Sequence, residues 1–298
     1  MTDDVSPEQA RAARRSHLAD LARNRAVAAA AADEIGLRIA GLPVVLRVAD
    51  RRFAERLGSA FRRFLAPMQE PALAVDVGID EQAAIWRDPS PEPRVRSEDG
   101  LLLVEHRDFA ATLASDGSRI ALVQPRRTIS TENGLRVLLA LALLRRGGLL
   151  LHAAGVIGRG RATALFGGSG SGKSTAARLA RGRPLLGDDL VAVTCTADGW
   201  FAHATPFGGG AARRRAARAA RLGSLLRLRH GAAFELRPLA PAAAVGELLR
   251  STVLPAASSS DRALALERCA ELEAAVGVRE LRFPVDNGLW RFLRERGV

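Results

Sequence analysis

Residues 162–175 read Ala-Thr-Ala-Leu-Phe-Gly-Gly-Ser-Gly-Ser-Gly-Lys-Ser-Thr, and this stretch decides how the rest of the chain is interpreted. It fits the pattern G-x-x-x-x-G-K-[ST], which begins at Gly167 and ends with Gly172, Lys173 and Ser174. A short apolar segment, predicted as a strand over 162–166, precedes the glycines, and a predicted helix over 174–181 follows them. A strand, a glycine-rich loop and a helix in this order are the context in which the pattern binds phosphate groups.

Each residue type in this loop has a chemical reason. Glycines allow positive φ angles, which turn main-chain N–H groups inward against phosphate oxygens, and the helix N-terminus adds its free amides and dipole. Lys173 would reach the β- and γ-phosphates, and the Ser174 hydroxyl would ligate magnesium. The sequence therefore predicts ATP and Mg²⁺ as cofactors. The predicted nucleotide-binding residues are Gly167, Gly168, Ser169, Gly170, Ser171, Gly172, Lys173, Ser174 and Thr175.

The position of lysine in the chain supports this interpretation over a plain Gly/Ser-rich turn. Lysine occurs once, at Lys173, so 43 of the 44 basic Lys and Arg residues are arginine. The motif needs a compact ammonium at this position, because the planar guanidinium of arginine would not fit the loop. Because of this bias toward arginine, the net charge of +12 is weak evidence for a nucleic-acid partner. We favour arginines dispersed over solvated surfaces.

Composition and length are those of a globular protein. The 298 residues are 48% hydrophobic and 26% charged. The longest apolar run, over 137–144, is shorter than the ~20 residues of a membrane-spanning helix. Two isolated cysteines, Cys195 and Cys269, argue against a disulfide framework or a zinc site. We expect a soluble cytoplasmic protein with no membrane partner.

The sequence pattern divides the chain into three parts. Residues 1–35 are predicted as an Ala/Arg-rich helical leader that begins at Ser6. Residues 36–127 are predicted as a small α+β domain without a catalytic cluster, in which the acceptor could be recognised; it contains a helix over 50–65 and strands over 44–48, 73–79, 101–104, 109–113 and 120–123. Residues 128–298 form the α/β domain with the phosphate-binding loop. Its first helix is predicted over 135–146, with Ser130 and Thr131 as caps and Gly147 as a stop signal.

An aspartate pair follows the loop closely. A strand over 149–157 and a tight turn over 158–161 predict an antiparallel hairpin before the loop. Asp188 and Asp189 lie fifteen residues beyond Lys173, between apolar strand residues. In most P-loop ATPases the magnesium-directing aspartate is much further along. The sequences L-S-G-G-Q of transporter ATPases and N-K-x-D of GTPases do not occur in the chain.

The run Leu-His-Ala-Ala-Gly-Val over 151–156, the turn, the loop, the helix and Leu-Leu-Gly-Asp-Asp over 185–189 together resemble the catalytic domain of the HPr kinase/phosphorylase family. Phosphoenolpyruvate carboxykinases share that fold and a comparable aspartate pair. Weaker similarity to HPr-kinase-related proteins extends over 204–209, 240–250 and 279–297. The resemblance implies a P-loop kinase domain of HPr kinase/phosphoenolpyruvate-carboxykinase type that is joined to the smaller N-terminal α+β domain. It supports the reaction type more than the acceptor, and a single lysine argues against the carboxykinase reaction, which is expected to need another.

We assign roles to individual residues on this basis. Asp188 is the predicted general base, and Asp189 and Ser174 are directed at the metal, because adjacent strand residues point to opposite faces unless Gly187 breaks the strand. By the resemblance, His152 is a catalytic-site histidine, although a buried structural histidine is the alternative. Thr205 and Pro206 border the nucleotide or form a plain turn. A basic patch (Arg213, Arg214, Arg215, Arg218 and Arg221) is either a solvated face or a loop that closes over the triphosphate or an acidic acceptor.

Three functions stay open on the sequence alone. The first is a kinase that transfers the γ-phosphate of ATP to a hydroxyl of a serine-type residue in a peptide or protein, or of a small molecule. The second is a nucleotide-binding regulatory or assembly partner with little catalysis. The third is a nucleic-acid-associated ATPase, whose affinity would fall steeply with salt. A homo-oligomer is also left open.

Overall fold

The computed structural model describes residues 33–81, 93–98, 101–114, 120–208, 219–255 and 259–298. The described chain is a mixed α/β protein with two sheets. It divides into two compact units, one containing 33–38 and 42–134 and the other containing 39–41 and 135–298. Most of the predicted leader lies outside the described residues. The helix prediction is wrong for 33–35, because these residues begin a strand.

The first unit is built on a seven-stranded sheet in the order β1-β2-β3-β7-β6-β5-β4. Strands β2, β3 and β7 are parallel neighbours, and β7, β6, β5 and β4 pair antiparallel. The elements are β1 (Asp33–Ile39), β2 (Leu42–Val48), α1 (Arg51–Ala60), β3 (Leu73–Ile79), β4 (Arg94–Glu98), β5 (Leu101–His106), β6 (Phe109–Ala114) and β7 (Ile120–Gln124).

Local sequence explains most of this unit. The Asp50 carboxylate caps α1 by accepting a hydrogen bond from Phe53 N at 2.8 Å, and Phe53 and Leu57 are fully buried beneath the helix. The predicted strands at 44–48, 73–79, 101–104, 109–113 and 120–123 are confirmed. The helix ends at Ala60 rather than at residue 65, because Phe61 leaves helical geometry and turns follow it. Residues 116–117, an Asp-Gly pair typical of a turn, and most of the proline-rich stretch 88–93 lie outside the described residues.

Helix α2 (Thr128–Arg145) begins earlier than its sequence pattern predicts. Ser130 and Thr131 lie inside its first turn and are fully buried, so their assignment as caps is wrong. The hydroxyl of Thr131 instead accepts a hydrogen bond from Gln124 Nε2 at 2.8 Å, which satisfies two polar groups away from water. The end of the helix is as predicted, since Gly147 follows it with a φ of 77°.

The second unit is built on an eight-stranded sheet in which β8 pairs with both β11 and β9, and β13 pairs with both β9 and β15. The strands are β8 (Gly148–Gly158), β9 (Arg161–Phe166), β10 (Leu185–Gly187), β11 (Leu190–Thr196), β12 (Gly199–Ala204), β13 (Ala219–His230), β14 (Glu235–Pro238) and β15 (Val278–Phe283). The helices are α3 (Lys173–Leu179), α4 (Pro241–Ser251), α5 (Ser259–Val276) and α6 (Leu289–Glu295). Within the described ranges, no helix is both long and apolar enough to cross a membrane.

The predicted hairpin before the glycine-rich loop is confirmed. Strands β8 and β9 pair antiparallel, and the register ends at Gly158 opposite Arg161. The two residues between them, Arg159 and Gly160, both have positive φ angles, 49° and 75°. Such a two-residue turn matches the right-handed twist of the strands. It directs β9 back along β8 and into the loop.

Helix α3 is held firmly behind the loop. Ala176 and Ala177 bury one side of the helix in a cluster of apolar side chains from the sheet and from α6. Trp290 of α6 donates a hydrogen bond from Nε1 to the main-chain oxygen of Ala176 at 3.0 Å. This bond is buried, so its loss would leave a carbonyl unsatisfied. The start of α3, and with it the loop, is fixed relative to the sheet.

Candidate active site

The loop at 167–174 has the backbone that the glycine pattern predicts. Gly167, Gly170 and Gly172 have φ angles of 144°, 74° and 97°, a region that other residues rarely adopt. The space for a side chain is too small at Gly172 and tight at Gly167. A Cβ on Gly172 would lie 2.7 Å from Phe283 Cζ, and one on Gly167 would lie 3.2 Å from the oxygen of Leu228. Conformation and close packing thus both require glycine here.

Lys173 is the first residue of α3, directly after the N-cap Gly172. Its Nζ donates hydrogen bonds to the carbonyl oxygens of Gly167 and Gly168 at 2.7 and 3.0 Å. Partial burial lowers the pKa of Lys173, and the charge of Asp189 opposes that shift. The ammonium therefore lies across the loop, on the side that faces Asp189.

Strand register brings the site together from residues distant in sequence. Ala153 of β8 and Arg227 of β13 both pair with Phe166 at the end of β9. His152 and Arg227 consequently flank the start of the loop on its two sides. Leu190, the first residue of β11, pairs with His152, so the preceding Asp189 also lies at this edge of the sheet.

The aspartate pair occupies a break between two strands, as Gly187 predicts. Strand β10 ends at Gly187 and β11 begins at Leu190, which leaves Asp188 and Asp189 between them. Oδ1 of Asp189 lies 3.9 Å from Nδ1 of His152. The His152 ring lowers the pKa of Asp189, and the positive charges of Arg136 and Lys173 lower it further, while burial raises it. The Asp189 carboxylate is therefore held in its ionised form.

The two aspartates face different surroundings. A Cβ added at Gly208 would lie 3.0 Å from Oδ1 of Asp188. The Asp188 carboxylate therefore lies against Gly208, in the segment that follows β12. Asp189 lines a cavity next to the glycine-rich loop, whereas Asp188 does not line it. Of the pair, Asp189 is the one that shares a cavity with Lys173.

His152 is not a buried structural residue. Its side chain is 48% exposed, although Leu151 and Ala153 on either side are completely buried. The alternation of a strand explains this, since neighbouring side chains point to opposite faces. The alternative of a buried histidine is therefore wrong, and the catalytic role stays a prediction.

These residues line one cavity of about 570 Å³, within the size range of small-molecule binding sites. The cavity combines predicted residues of the loop and strand ends with others that the sequence did not indicate. The lining residues are His152, Gly167, Gly168, Ser169, Lys173, Asp189, Arg227, Glu247, Arg250 and Ser251.

Three of the unpredicted residues form what we call the arginine cluster: Arg227 of β13 and Glu247 and Arg250 of α4. Oε1 of Glu247 accepts hydrogen bonds from Nη2 of Arg227 at 3.1 Å and from Nη2 of Arg250 at 2.9 Å. Arg227 also donates from Nη1 to Glu280 at 2.8 Å. No local sequence motif predicts this cluster, because its members belong to two elements that become neighbours only in the folded protein.

His230 is a further residue that sequence reasoning missed. It ends β13, and its Nε2 donates a hydrogen bond to the carbonyl oxygen of Gly170 at 2.7 Å. Its ring stacks on Phe283 at a centroid distance of 6.2 Å. His230 therefore supports the loop at Gly170. Only the parallel pairing of β13 with β9 could have indicated it.

Other sequence candidates lie elsewhere. Thr205 is buried and donates its hydroxyl hydrogen bond to the oxygen of Leu190 at 2.8 Å, which favours the plain turn over a nucleotide contact. In the predicted basic patch, Arg221 lies in β13 and is exposed. The other members of the patch (Arg213, Arg214, Arg215 and Arg218) lie outside the described residues.

The donor set suits magnesium better than a metal caged by protein. In the part of the chain that the structure describes, no group of three or more His, Cys, Asp or Glu side chains could hold a metal ion. Magnesium is commonly bound through one or two protein oxygens together with substrate phosphates and water. Ser174 at the start of α3 would supply such an oxygen, and the phosphates of the nucleotide would supply others.

Comparison with known proteins gives a weak similarity. No protein-family model matches the chain, and no curated protein matches it by sequence. Among solved structures, the HPr(Ser) kinase/phosphatase from Coxiella burnetii matches 49% of this chain and 97% of its own, with 11% identity and a TM-score of 0.29. A similarity of this strength says nothing about the function of this chain.

Proposed function

We propose that this protein is an ATP-dependent kinase that transfers the γ-phosphate of MgATP to a hydroxyl group. The observation that carries the proposal is the shared cavity, in which the glycine-rich loop and Lys173 face the ionised Asp189 and His152. A nucleotide-binding module needs the loop and the lysine. A carboxylate at a second wall of the same cavity is what phosphoryl transfer needs in addition.

The loop would hold the triphosphate. Main-chain N–H groups of the loop and the N-terminus of α3 would bind phosphate oxygens, and Lys173 would exchange its two carbonyl partners for the β- and γ-phosphates. Magnesium, held by Ser174 and the phosphates, would neutralise charge that develops during transfer. Positive charge fixed in advance at this point is the main contribution that a protein makes to phosphoryl transfer.

Asp189 is the better candidate for the base. It lines the cavity beside His152, whereas the carboxylate of Asp188 does not, so we reassign the role that the sequence pattern gave to Asp188. In the reaction the acceptor oxygen forms a bond to the γ-phosphorus, and the bond from that phosphorus to the β–γ bridging oxygen breaks. The hydroxyl proton passes to Asp189, and ADP leaves. His152, 3.9 Å away, would orient the carboxylate.

The proposal is tested by following the label of ATP. The full-length protein is incubated with Mg²⁺ and soluble extract of its source organism, once with γ-³²P-ATP and once with α-³²P-ATP. We expect label from the γ-position alone in a new product, and none with the Asp189→Asn protein. Label that appears only as inorganic phosphate would contradict a kinase and favour the regulatory module.

A further inference from the structure

The arginine cluster gives the cavity a second basic surface besides the loop. One carboxylate, Glu247, lies between the guanidiniums of Arg227 and Arg250. The second acidic partner of Arg227 is Glu280, which is itself shared by further arginines. These are Arg229 at 3.3 Å and Arg282 at 2.9 Å. Of these side chains, Arg227, Glu247 and Arg250 line the cavity, so this wall carries two guanidiniums and one carboxylate.

Within the cluster, only Arg250 is open to solute. The side chain of Arg250 is 68% exposed, against 13% for Arg227 and 19% for Glu247. Arg227 uses both of its Nη groups in ion pairs with the two glutamates. A guanidinium has five N–H donors, and the contact of Arg250 with Glu247 uses its Nη2 group. Arg250 therefore keeps donors for a bound anion, while Glu247 fixes its orientation.

Arg250 lies at the end of α4 that is joined to the strand of His152. The end of α4 is fastened to β8, because Val253 N donates to the oxygen of Leu150 at 2.8 Å and Thr252 bridges to Leu151. The next residue of β8 is His152, which faces Asp189. Arg250 thus lines the same cavity as the groups that would receive the acceptor hydroxyl. Arg227, in contrast, lies level with the end of β9 beside the loop.

We propose that Arg250, oriented by Glu247, binds a carboxylate or phosphate group of the phosphoryl acceptor. This inference rests on the proposed kinase function and narrows its substrates to hydroxy compounds that carry an anionic group near the reacting hydroxyl. The planar fork of a guanidinium matches both anions with paired hydrogen bonds, which orient the acceptor as well as bind it. Orientation of this kind brings the hydroxyl in line with the γ-phosphorus.

The test compares three-carbon acceptors that differ in one group. Glycerol is neutral, D-glycerate adds a carboxylate, and glycerol 3-phosphate adds a phosphate. Each is offered with γ-³²P-ATP and Mg²⁺ to the full-length protein, in parallel with soluble extract of the source organism. We expect label in an anionic member of the series or in an extract compound that carries a carboxylate or phosphate before transfer. The two anionic arms tell which group is recognised.

Variants of Arg250 are then measured with the labelled acceptor. Because a charge-assisted hydrogen bond is lost, we expect Arg250→Ala to raise the KM for the acceptor about 10- to 100-fold, with an unchanged Kd for ATP. Arg250→Lys should recover part of the loss. The control is Arg268→Ala on α5, which removes the same kind of ion pair, Arg268 with Glu271 three residues later, away from the cavity.

The outcomes separate this inference from the function on which it rests. Transfer to glycerol or to a neutral extract compound as efficient as transfer to the anionic ones would overturn the inference and leave the kinase in place. Equal KM values for Arg250→Ala and the unaltered protein would do the same. Failure of the unaltered protein to label any acceptor would overturn the kinase, and the inference with it.

Discussion

The cavity has two sides of different construction. The loop side is made by eight successive residues, 167–174, whose shape depends on glycines with positive φ angles. The arginine cluster is made by side chains of β13 and α4, which hold one another through ion pairs. The shape of the loop side consequently depends mainly on its own glycines, whereas the cluster depends on how α4 packs on the sheet. Nucleotide binding and acceptor recognition should therefore be separable by mutation.

Among substitutions in the loop, the largest effect on ATP turnover is expected at Lys173. Lys173→Ala removes the ammonium that lies across the loop, and ATP turnover should fall by about 10²–10³-fold, the usual loss for one preorganised group that stabilises developing charge. Lys173→Arg should also fail, because a guanidinium is too broad for the loop. Steady-state ATP turnover measures both variants, with unchanged thermal unfolding as the control. Near-normal turnover with arginine would refute the geometric argument.

Alanine substitutions of the loop glycines are expected to weaken ATP binding to different degrees. Gly172→Ala meets both a positive φ and the Phe283 ring, Gly170→Ala meets the positive φ alone, and Gly168→Ala meets neither. A residue forced into such a conformation costs about 1–3 kcal/mol. We expect the Kd for ATP, measured by calorimetry, to rise most for Gly172→Ala and least for Gly168→Ala. The same Kd in all three proteins would mean that loop shape does not control nucleotide binding.

The smallest effect is expected at His230, which supports the loop without lining the cavity. His230→Ala removes one hydrogen bond to Gly170. A bond of this kind contributes about 0.5–1.5 kcal/mol, so ATP affinity should weaken about 2- to 10-fold. His230→Gln retains an N–H donor and should recover part of the affinity. If both variants bind ATP like the unaltered protein, the loop holds its shape without this support.

The parts of the site that could be predicted are those encoded by neighbouring residues. The loop, its lysine and the hairpin before it follow from glycine spacing and apolar runs, as does the strand break at Gly187. The roles within the aspartate pair could not be predicted, because which carboxylate lines the cavity depends on how β11 pairs with β8. His230 and Arg227 required knowledge that β13 lies parallel beside β9.

The same distinction holds in the rest of the fold. Strands β3 and β6 were recognisable from alternation and from flanking turn residues. The start of α2 was misjudged because buried Ser130 and Thr131 look like caps in a local reading, whereas tertiary contact with Gln124 places Thr131 inside the helix. At this boundary a tertiary partner outweighed the local capping preference.

The central claim is that Asp189 accepts a proton while the loop holds the nucleotide, and a comparison of Asp189→Asn with Asp188→Asn tests it most directly. The measurement is the rate of γ-phosphate transfer to the labelled acceptor at saturating Mg²⁺, together with the Kd for ATP. A placed base contributes typically ~10²–10⁴-fold, so Asp189→Asn should lower transfer by that factor with little change in Kd. Because an amide cannot accept the proton at any pH, raising the pH should not restore transfer. Normal transfer by Asp189→Asn, or an equal loss in Asp188→Asn, would contradict the account.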